Sequence, residues 1–299
     1  MNKLNTDHSQ CHEANTGDKV VSVQKFSAPV FVHSRHNHLS KLLTVQLCED
    51  QLNDLWLRGS YLNSLQAAID WTSTEWREYF LLHGLERDIR SHGPRIHANT
   101  FRRLWTRIAF SQGEVLNIAA LAKDLGVSVR TISRYLDIFD GLKLVRILQP
   151  WNENVGKRLV KSPKVFVRDS GLMHALIGIN SIECLLNHSI FSRSWEGFCL
   201  ETLISVAPKN TEPYFYKTSV GTKIDLVLRF PNKEVWAFEI KRNFVPKASR
   251  GFHTGAEDIK ANRKILIYLG EQKFIEKDDL HTMSLPRAIF DVQSQAATA

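Results

Sequence analysis

Apolar residues recur along this chain at three different spacings. From residue 41 to 112 they return every three or four positions: Leu52, Leu55 and Trp56, then Trp76, Tyr79, Phe80, Leu82 and Leu85, then Phe101, Leu104, Trp105 and Ile108. That period gathers apolar side chains on one face of an α-helix, so the stretch predicts a small helical region. Gly59 and the run Ser91-His92-Gly93-Pro94 supply the breaks, because glycine frees the backbone and proline blocks helix continuation. Residues 1 to 40 follow no such period and are rich in His, Ser and Asn, which predicts a poorly ordered lead-in. His33, His36 and His38 cluster there without a frame to hold a metal.

Residues 113 to 175 carry a sharper pattern. Ile118, Leu121, Ala122 and Leu125 form one apolar helix face that stops at Gly126-Val127-Ser128. Ser128 is a natural N-cap for a second helix, with Ile132, Leu136 and Phe139 inward and Arg130, Ser133 and Arg134 outward. Helix, glycine-containing turn and second helix make a helix-turn-helix. Gly141 to Leu148 reads as a strand and Lys164 to Arg168 as its partner, which together predict a wing. Residues 176 to 290 then alternate as in an α/β domain. A helix is expected over 194–206, strands over 213–217, 223–230, 234–241 and 264–269, and a helix near 255–262. The fold class expected is therefore α/β (α+β), with the helical segment and winged helix-turn-helix preceding an α/β domain. His174 falls on an amphipathic helix beside Leu172, Met173, Leu176 and Ile177 and reads as a packed residue, whereas His253 reads as a loop position.

Composition narrows the classes. No stretch of the 299 residues approaches the roughly 18 to 20 apolar positions that a membrane span needs, and no apolar signal core opens the chain. A cytoplasmic protein without membrane partners is expected. Cys11, Cys48, Cys184 and Cys199 lie far apart, which favours reduced structural thiols over disulfides or a zinc knuckle. The seven tryptophans fall at core spacings and read as core. Lys plus Arg number 39 against 31 Asp plus Glu, a net charge of +8, which favours a polyanionic partner. From residue 143 to 168, Lys143, Arg146, Lys157, Arg158, Lys161, Lys164 and Arg168 oppose Glu153 alone, placing +6 of that +8 on the expected wing. DNA affinity grows with the number of phosphates neutralised, so Arg130, Arg134, Lys143, Lys157, Arg158, Lys161 and Lys164 are candidate DNA contacts. A solvated basic hairpin or a protein-docking module is the alternative.

One constellation could do chemistry. A three-residue hairpin loop at Pro231-Asn232-Lys233 would pair Phe230 with Glu234 and, further back, Asp225 with Glu239. Cross-strand neighbours lie about 4.5 to 5.5 Å apart at Cβ, so the two carboxylates could share Mg²⁺ or Mn²⁺, cations that prefer oxygen ligands. Lys241 alternates onto the same face and would orient a water, while Glu196 on the preceding helix would complete the metal shell. A register slip of one residue would separate the acids, leaving a surface hairpin with solvated charges.

Several motifs carry a resemblance: Trp56-Leu57-Arg58-Gly59, Trp76-Arg77-Glu78, Leu85-Glu86-Arg87-Asp88-Ile89, the helix-turn-helix, Lys161-Ser162-Pro163-Lys164 and Arg168-Asp169-Ser170-Gly171-Leu172. Trp195-Glu196-Gly197-Phe198, Ile224-Asp225, Glu239-Ile240-Lys241-Arg242 and Gly251-Phe252-His253 extend it. Over residues 50 to 285 the chain resembles the C-terminal region of unknown function that follows an AAA-type ATPase domain in bacterial and archaeal proteins. The resemblance implies a winged helix followed by a restriction-endonuclease-like domain of the PD-(D/E)XK type. In it Glu196 is the helix acid, Asp225 the metal-ligating acid, and Glu239 and Lys241 the E-x-K pair. Nuclease chemistry on DNA is thereby expected, with docking on an AAA-type ATPase or self-association as the alternative. No G-x-x-x-x-G-K-[ST] loop occurs, so ATP turnover is not expected, and the chain reads as a shortened relic or a stand-alone variant. Relatives usually carry Glu where this chain has Lys223, which the hairpin would set opposite Lys241. The pair should repel unless Lys241 turns away or a phosphate sits between them.

Overall fold

A computed structural model of the protein describes residues 49–84, 97–153, 158–244, 247–269, 274–276 and 279–295. The expected tail, its three histidines, Leu85 with its motif, the Ser91 to Pro94 break, Cys11, Cys48 and Lys157 lie outside the described residues. Helices come first: α1 (Glu49–Arg58), α2 (Leu62–Leu65), α3 (Asp70–Tyr79), which runs into a π-helical turn at Phe80–Gly84, and α4 (Ala98–Phe110). Trp56, Trp76, Phe101, Leu104 and Trp105 are buried, as their spacing predicts. Trp71 departs from the expectation: it opens α3 and is 66% exposed, and Tyr79 and Leu82 are exposed with it.

α5 (Ile118–Leu125) and α6 (Val129–Gly141) form the helix-turn-helix. Asn117 accepts from the Ala120 N–H at 2.9 Å to start α5, Gly126 ends it in the left-handed region, and Ser128 accepts from Thr131 N–H at 3.1 Å to start α6. Phe139 stacks on Phe101 and leans on Trp105, which fixes α6 to α4. α6 absorbs Gly141, and Lys143 adopts φ 56°, so the strand expected from 141 begins later.

The strands are β1 (Val145–Pro150), β2 (Lys164–Val167), β3 (Glu212–Lys217), β4 (Lys223–Arg229), β5 (Val235–Ile240), β6 (Arg263–Tyr268), β7 (Phe274–Glu276) and β8 (Leu280–Ser284). All eight join one sheet in the order β2-β1-β3-β4-β5-β6-β8-β7. The expected β1–β2 pair forms antiparallel, but it does not project: β1 also pairs parallel with β3 at Gln149↔Tyr214. The remaining helices are α7 (Ser170–Leu176), α8 (Ile182–Asn187), α9 (Phe191–Val206), α10 (Arg250–Asp258) and α11 (Leu285–Ser294). α10 begins earlier than the helix expected near 255 and places His253 within it, because Ser249 caps the Phe252 N–H. One apolar core joins α1, α4, α9 and α11 to Leu226, Leu228, Phe238 and Ile265 of the sheet. A second gathers Val227, Ala237, Leu266, Phe252 and Ala256 between the sheet and α10. Burial on both faces gives a mixed α/β fold and explains the near-continuous apolar run of β5.

Polar knots hold the helices to the sheet. His174, wholly buried on α7, donates through Nδ1 to the Leu57 carbonyl at 3.0 Å, which leaves Nε2 to accept from Ser194 Oγ at 2.7 Å. Burial lowers the His174 pKa from 6.5 to about 4. An unfolded chain takes up this proton near pH 6.5 and the folded chain refuses it until about 4, so the stability this residue contributes is complete above 6.5 and is lost as pH falls toward 4. The expected loss between pH 7 and pH 4 is about 3 kcal/mol. Urea unfolding at both pH values checks it, and His174→Gln should flatten that part of the dependence.

Candidate functional site

The hairpin register places the acids. β4 pairs with β5 from Leu226↔Phe238 to Arg229↔Val235, and Asp225 and Glu239 follow one step beyond. On its other edge β4 changes register between Tyr214↔Val227 and Tyr216↔Ile224, so Asp225 and Leu226 stand opposite Phe215 alone. Such a bulge re-aims a side chain, and the Asp225 carboxylate turns to accept from the Ile240 N–H at 3.1 Å through Oδ2. Asp225 and Glu239 are 3% and 4% exposed. Two buried carboxylates this close demand compensation.

Lysines provide it. Lys223 Nζ donates to Asp225 Oδ1 at 3.2 Å, and Lys241 Nζ lies 3.4 Å from Glu239 Oε1. The second oxygen of Glu239 accepts from the Ser249 N–H at 2.9 Å. Glu196, on α9, accepts from Lys164 Nζ of β2 at 3.0 Å. Each acid thus has its own ammonium. The expected clash of Lys223 with Lys241 is avoided because each folds back onto the acid two residues away on its own strand, and Lys241 also donates to the Lys247 carbonyl. Burial raises the Glu196 pKa, and the Asp225 charge raises it further against the opposing pull of Lys164. Asp225 raises the Lys223 pKa, with smaller contributions from Glu196 and Glu239, so all three acids act on one ammonium.

Of these groups Lys164, Glu196 and Lys223 line a cavity of roughly 470 Å³, together with Glu114, Arg193 and Lys217, and Asp225 and Glu239 lie behind Lys223. Arg193 pairs with Glu114. Lys217 stands directly opposite Lys223 in the β3–β4 register. Two facing cations repel, and Lys223 is drawn off by Asp225, whereas Lys217 has no ion-pair partner among the described residues. The segment linking β1 to β2 runs beside them: Leu159 bridges Thr218, and Val160 N–H donates to the Lys217 carbonyl. Arg158 and Lys161, both exposed, flank these backbone contacts to the end of β3. Arg130, Arg134 and Lys143 are exposed on and just after α6.

The wing charge is smaller at the surface than the sequence count. Lys164, on the edge strand β2, is only 9% exposed and its ammonium is matched by Glu196, so it adds little to the surface charge. Arg146 and Arg168 both bond Glu201 of α9, at 2.6 and 2.5 Å. Sequence reasoning passed over Lys217 and Arg193. The first was legible from the turn between β3 and β4, which aligns Lys217 with Lys223, and the second lies three residues before Glu196 on one helix. Cys199 is buried with its thiol pKa raised well above the ordinary value, so it stays protonated.

Residues 49–183 match the model of a domain of unknown function, DUF8612. Residues 191–288 match another, DUF4143. Over 236 residues the chain is 36% identical to "Uncharacterized protein Rv2008c" of Mycobacterium tuberculosis and, equally, to "Uncharacterized protein Mb2031c" of Mycobacterium bovis. The match takes in 79% of this chain and 53% of theirs, so the chain spans about half the length of these curated relatives. Among solved structures, a half-complex of Thermococcus gammatolerans McrB AAA+ hexamers with bound McrC overlaps 65% of this chain and 51% of that one, at 12% identity and a TM-score of 0.25. So low a score shares too little geometry to inform the fold.

Among the described residues, no three Asp, Glu, His or Cys side chains stand close enough to hold a metal ion. The donor set agrees. Both oxygens of Asp225 and both of Glu239 already face N–H donors, and the cation beside each is a lysine. The residues as arranged do not fit Mg²⁺ or Mn²⁺. No helix among the described residues is long and apolar enough to cross a membrane.

Proposed function

We propose that this chain is a nucleic-acid-associated module, related to the C-terminal part of AAA-type ATPases, whose cationic cavity takes the phosphodiester backbone of DNA. The observation that supports it is the facing pair Lys217 and Lys223 at a cavity whose acids are each matched by a lysine. The acids cancel against their own lysines, so Lys217, Arg158 and Lys161 remain to meet an outside anion. The order of elements, a helix (α9), three antiparallel strands (β3 to β5), a helix (α10) and a parallel strand (β6), agrees with the nuclease-like domain that the resemblance implies. Arg130, Arg134 and Lys143 add a second basic surface at the helix-turn-helix. Binding without scission is the reading this arrangement supports, since Asp225 and Glu239 are occupied by lysines.

Fluorescence anisotropy of a labelled duplex in EDTA tests the proposal. Replacing Arg158, Lys161 and Lys217 by Gln together should lower affinity at least about tenfold at low salt and flatten the salt dependence by about three phosphates. A wild type that does not bind, or a triple variant that binds equally, overturns it. Plasmid nicking with Mn²⁺ that depends on Asp225 and Glu239 would replace binding by cleavage. The second reading, docking on an AAA-type ATPase or self-association, is supported by the exposed apolar side chains of Ile69, Trp71, Tyr79 and Leu82. Sedimentation that reports a monomer, together with no capture of an AAA-type partner, speaks against it.

A further inference from the structure

We infer that the Lys223 ammonium is a built-in substitute for a divalent cation: it occupies the position between the cavity and the paired acids that an ion would otherwise take. The inference rests on the proposed reading for the identity of the cavity and deepens it by saying why that cavity binds phosphate without cutting it. Asp225 and Glu239 are buried on neighbouring strands, and Lys223, which bonds Asp225, also lines the cavity beside Glu196. Oxygen donors of this kind suit a hard divalent ion. Lys223 answers that demand differently. Its side chain is 54% exposed, yet its Nζ reaches inward to Asp225 Oδ1 at 3.2 Å, so a flexible stem from the rim delivers a charge to the buried acid. Lys241 does the same from the other strand for Glu239.

A metal ion arriving at Asp225 would have to displace the Lys223 ammonium or sit against it, and two cations within a few ångströms repel. A fixed lysine also cannot polarise and deprotonate a water as a metal does. What it can still do is present N–H donors to a phosphate oxygen. The acids are thereby held in place and neutralised, and the ammonium hydrogens that Asp225 does not take can still face a phosphate oxygen.

The experiment is Mn²⁺ binding, followed by electron paramagnetic resonance and calorimetry on the purified full chain. The wild type and Lys223→Arg should take up no Mn²⁺ at this site. Lys223→Ala should bind it at least about tenfold more tightly than the wild type, the change expected when a single repelling charge is removed. Lys223→Met, which keeps the length of the side chain, is the second variant, and thermal melting of each verifies the fold. Adding Asp225→Ala to Lys223→Ala should abolish the gain. Equal Mn²⁺ affinity in wild type and both neutral variants overturns the inference, and so does a gain that survives loss of Asp225. DNA binding in EDTA is scored separately. Loss of that binding with the Mn²⁺ pattern intact would sink the cavity's phosphate role and not the lysine substitution.

Discussion

Glu201→Gln should destabilise the protein by about 3 to 5 kcal/mol, the cost of leaving buried cations without their carboxylate. Glu201 lies on α9, 7% exposed, and bonds two guanidinium groups: Arg146 of β1 at 2.6 Å and Arg168, just after β2, at 2.5 Å. The Arg168 side chain is 5% exposed and that of Arg146 17%, so solvent screens neither well. Glutamine keeps the shape and two polar atoms but removes the charge that offsets the desolvation of two arginines. This triad is also what clamps the β1–β2 edge of the sheet to the helix that carries Glu196. Urea unfolding measures the loss. A change below about 1 kcal/mol would mean that the arginines are solvated in solution, as exposed pairs are. Arg168→Met in the Glu201→Leu background should recover part of the loss, since an apolar replacement of the group removes the charge along with its partner.

Gly171→Ala should cost about 3 kcal/mol or more, at the severe end of overpacking. A Cβ at Gly171 would sit 2.1 Å from the Arg58 carbonyl oxygen and 2.4 Å from its carbon, both backbone atoms that cannot swing aside. The contact joins α7 to the end of α1. It is reinforced by Asp169, which accepts from both the N–H and the hydroxyl of Ser60 at 2.8 Å, and by Arg77, which donates to the carbonyls of Leu57 and Gly171. Gly141→Ala is the control, because nothing lies within 4 Å of the added carbon there. Alanine at that helical position should be neutral or slightly stabilising. A melting temperature of Gly171→Ala equal to that of Gly141→Ala would contradict the packing described.

These knots also explain why so much of the recognisable sequence turns out to be architecture. Gly59 and Arg168-Asp169-Ser170-Gly171-Leu172 meet at this contact, and Arg242 of the Glu239-Ile240-Lys241-Arg242 run lies over the rings of Trp56 and Trp195. The helix-turn-helix could be read from Ile118 to Phe139 because caps and apolar period are local, and the β4–β5 register because a three-residue loop determines it. The parallel pairing of Gln149 with Tyr214 joins residues far apart in the chain, and no local pattern announces it. That pairing attaches the β1–β2 edge to the rest of the sheet, where Lys164 meets Glu196. The bulge at Asp225 is equally silent, since it arises only when β3 and β4 meet. α11 was passed over although Leu285, Ala288, Ile289 and Val292 have helical spacing behind Ser284 and Pro286. Trp71 shows the reverse: a large apolar residue in a helical stretch need not face the core.

Where DNA touches the chain decides the account. Lysine acetylation footprinting of the purified protein, with and without duplex DNA in EDTA, reads this directly. Protection of Lys161, Lys217 and Lys223 is the result expected from a backbone seated at the cavity mouth. Protection confined to Lys123 and Lys143 beside the helix-turn-helix, with Lys217 as reactive as in the free protein, would contradict it.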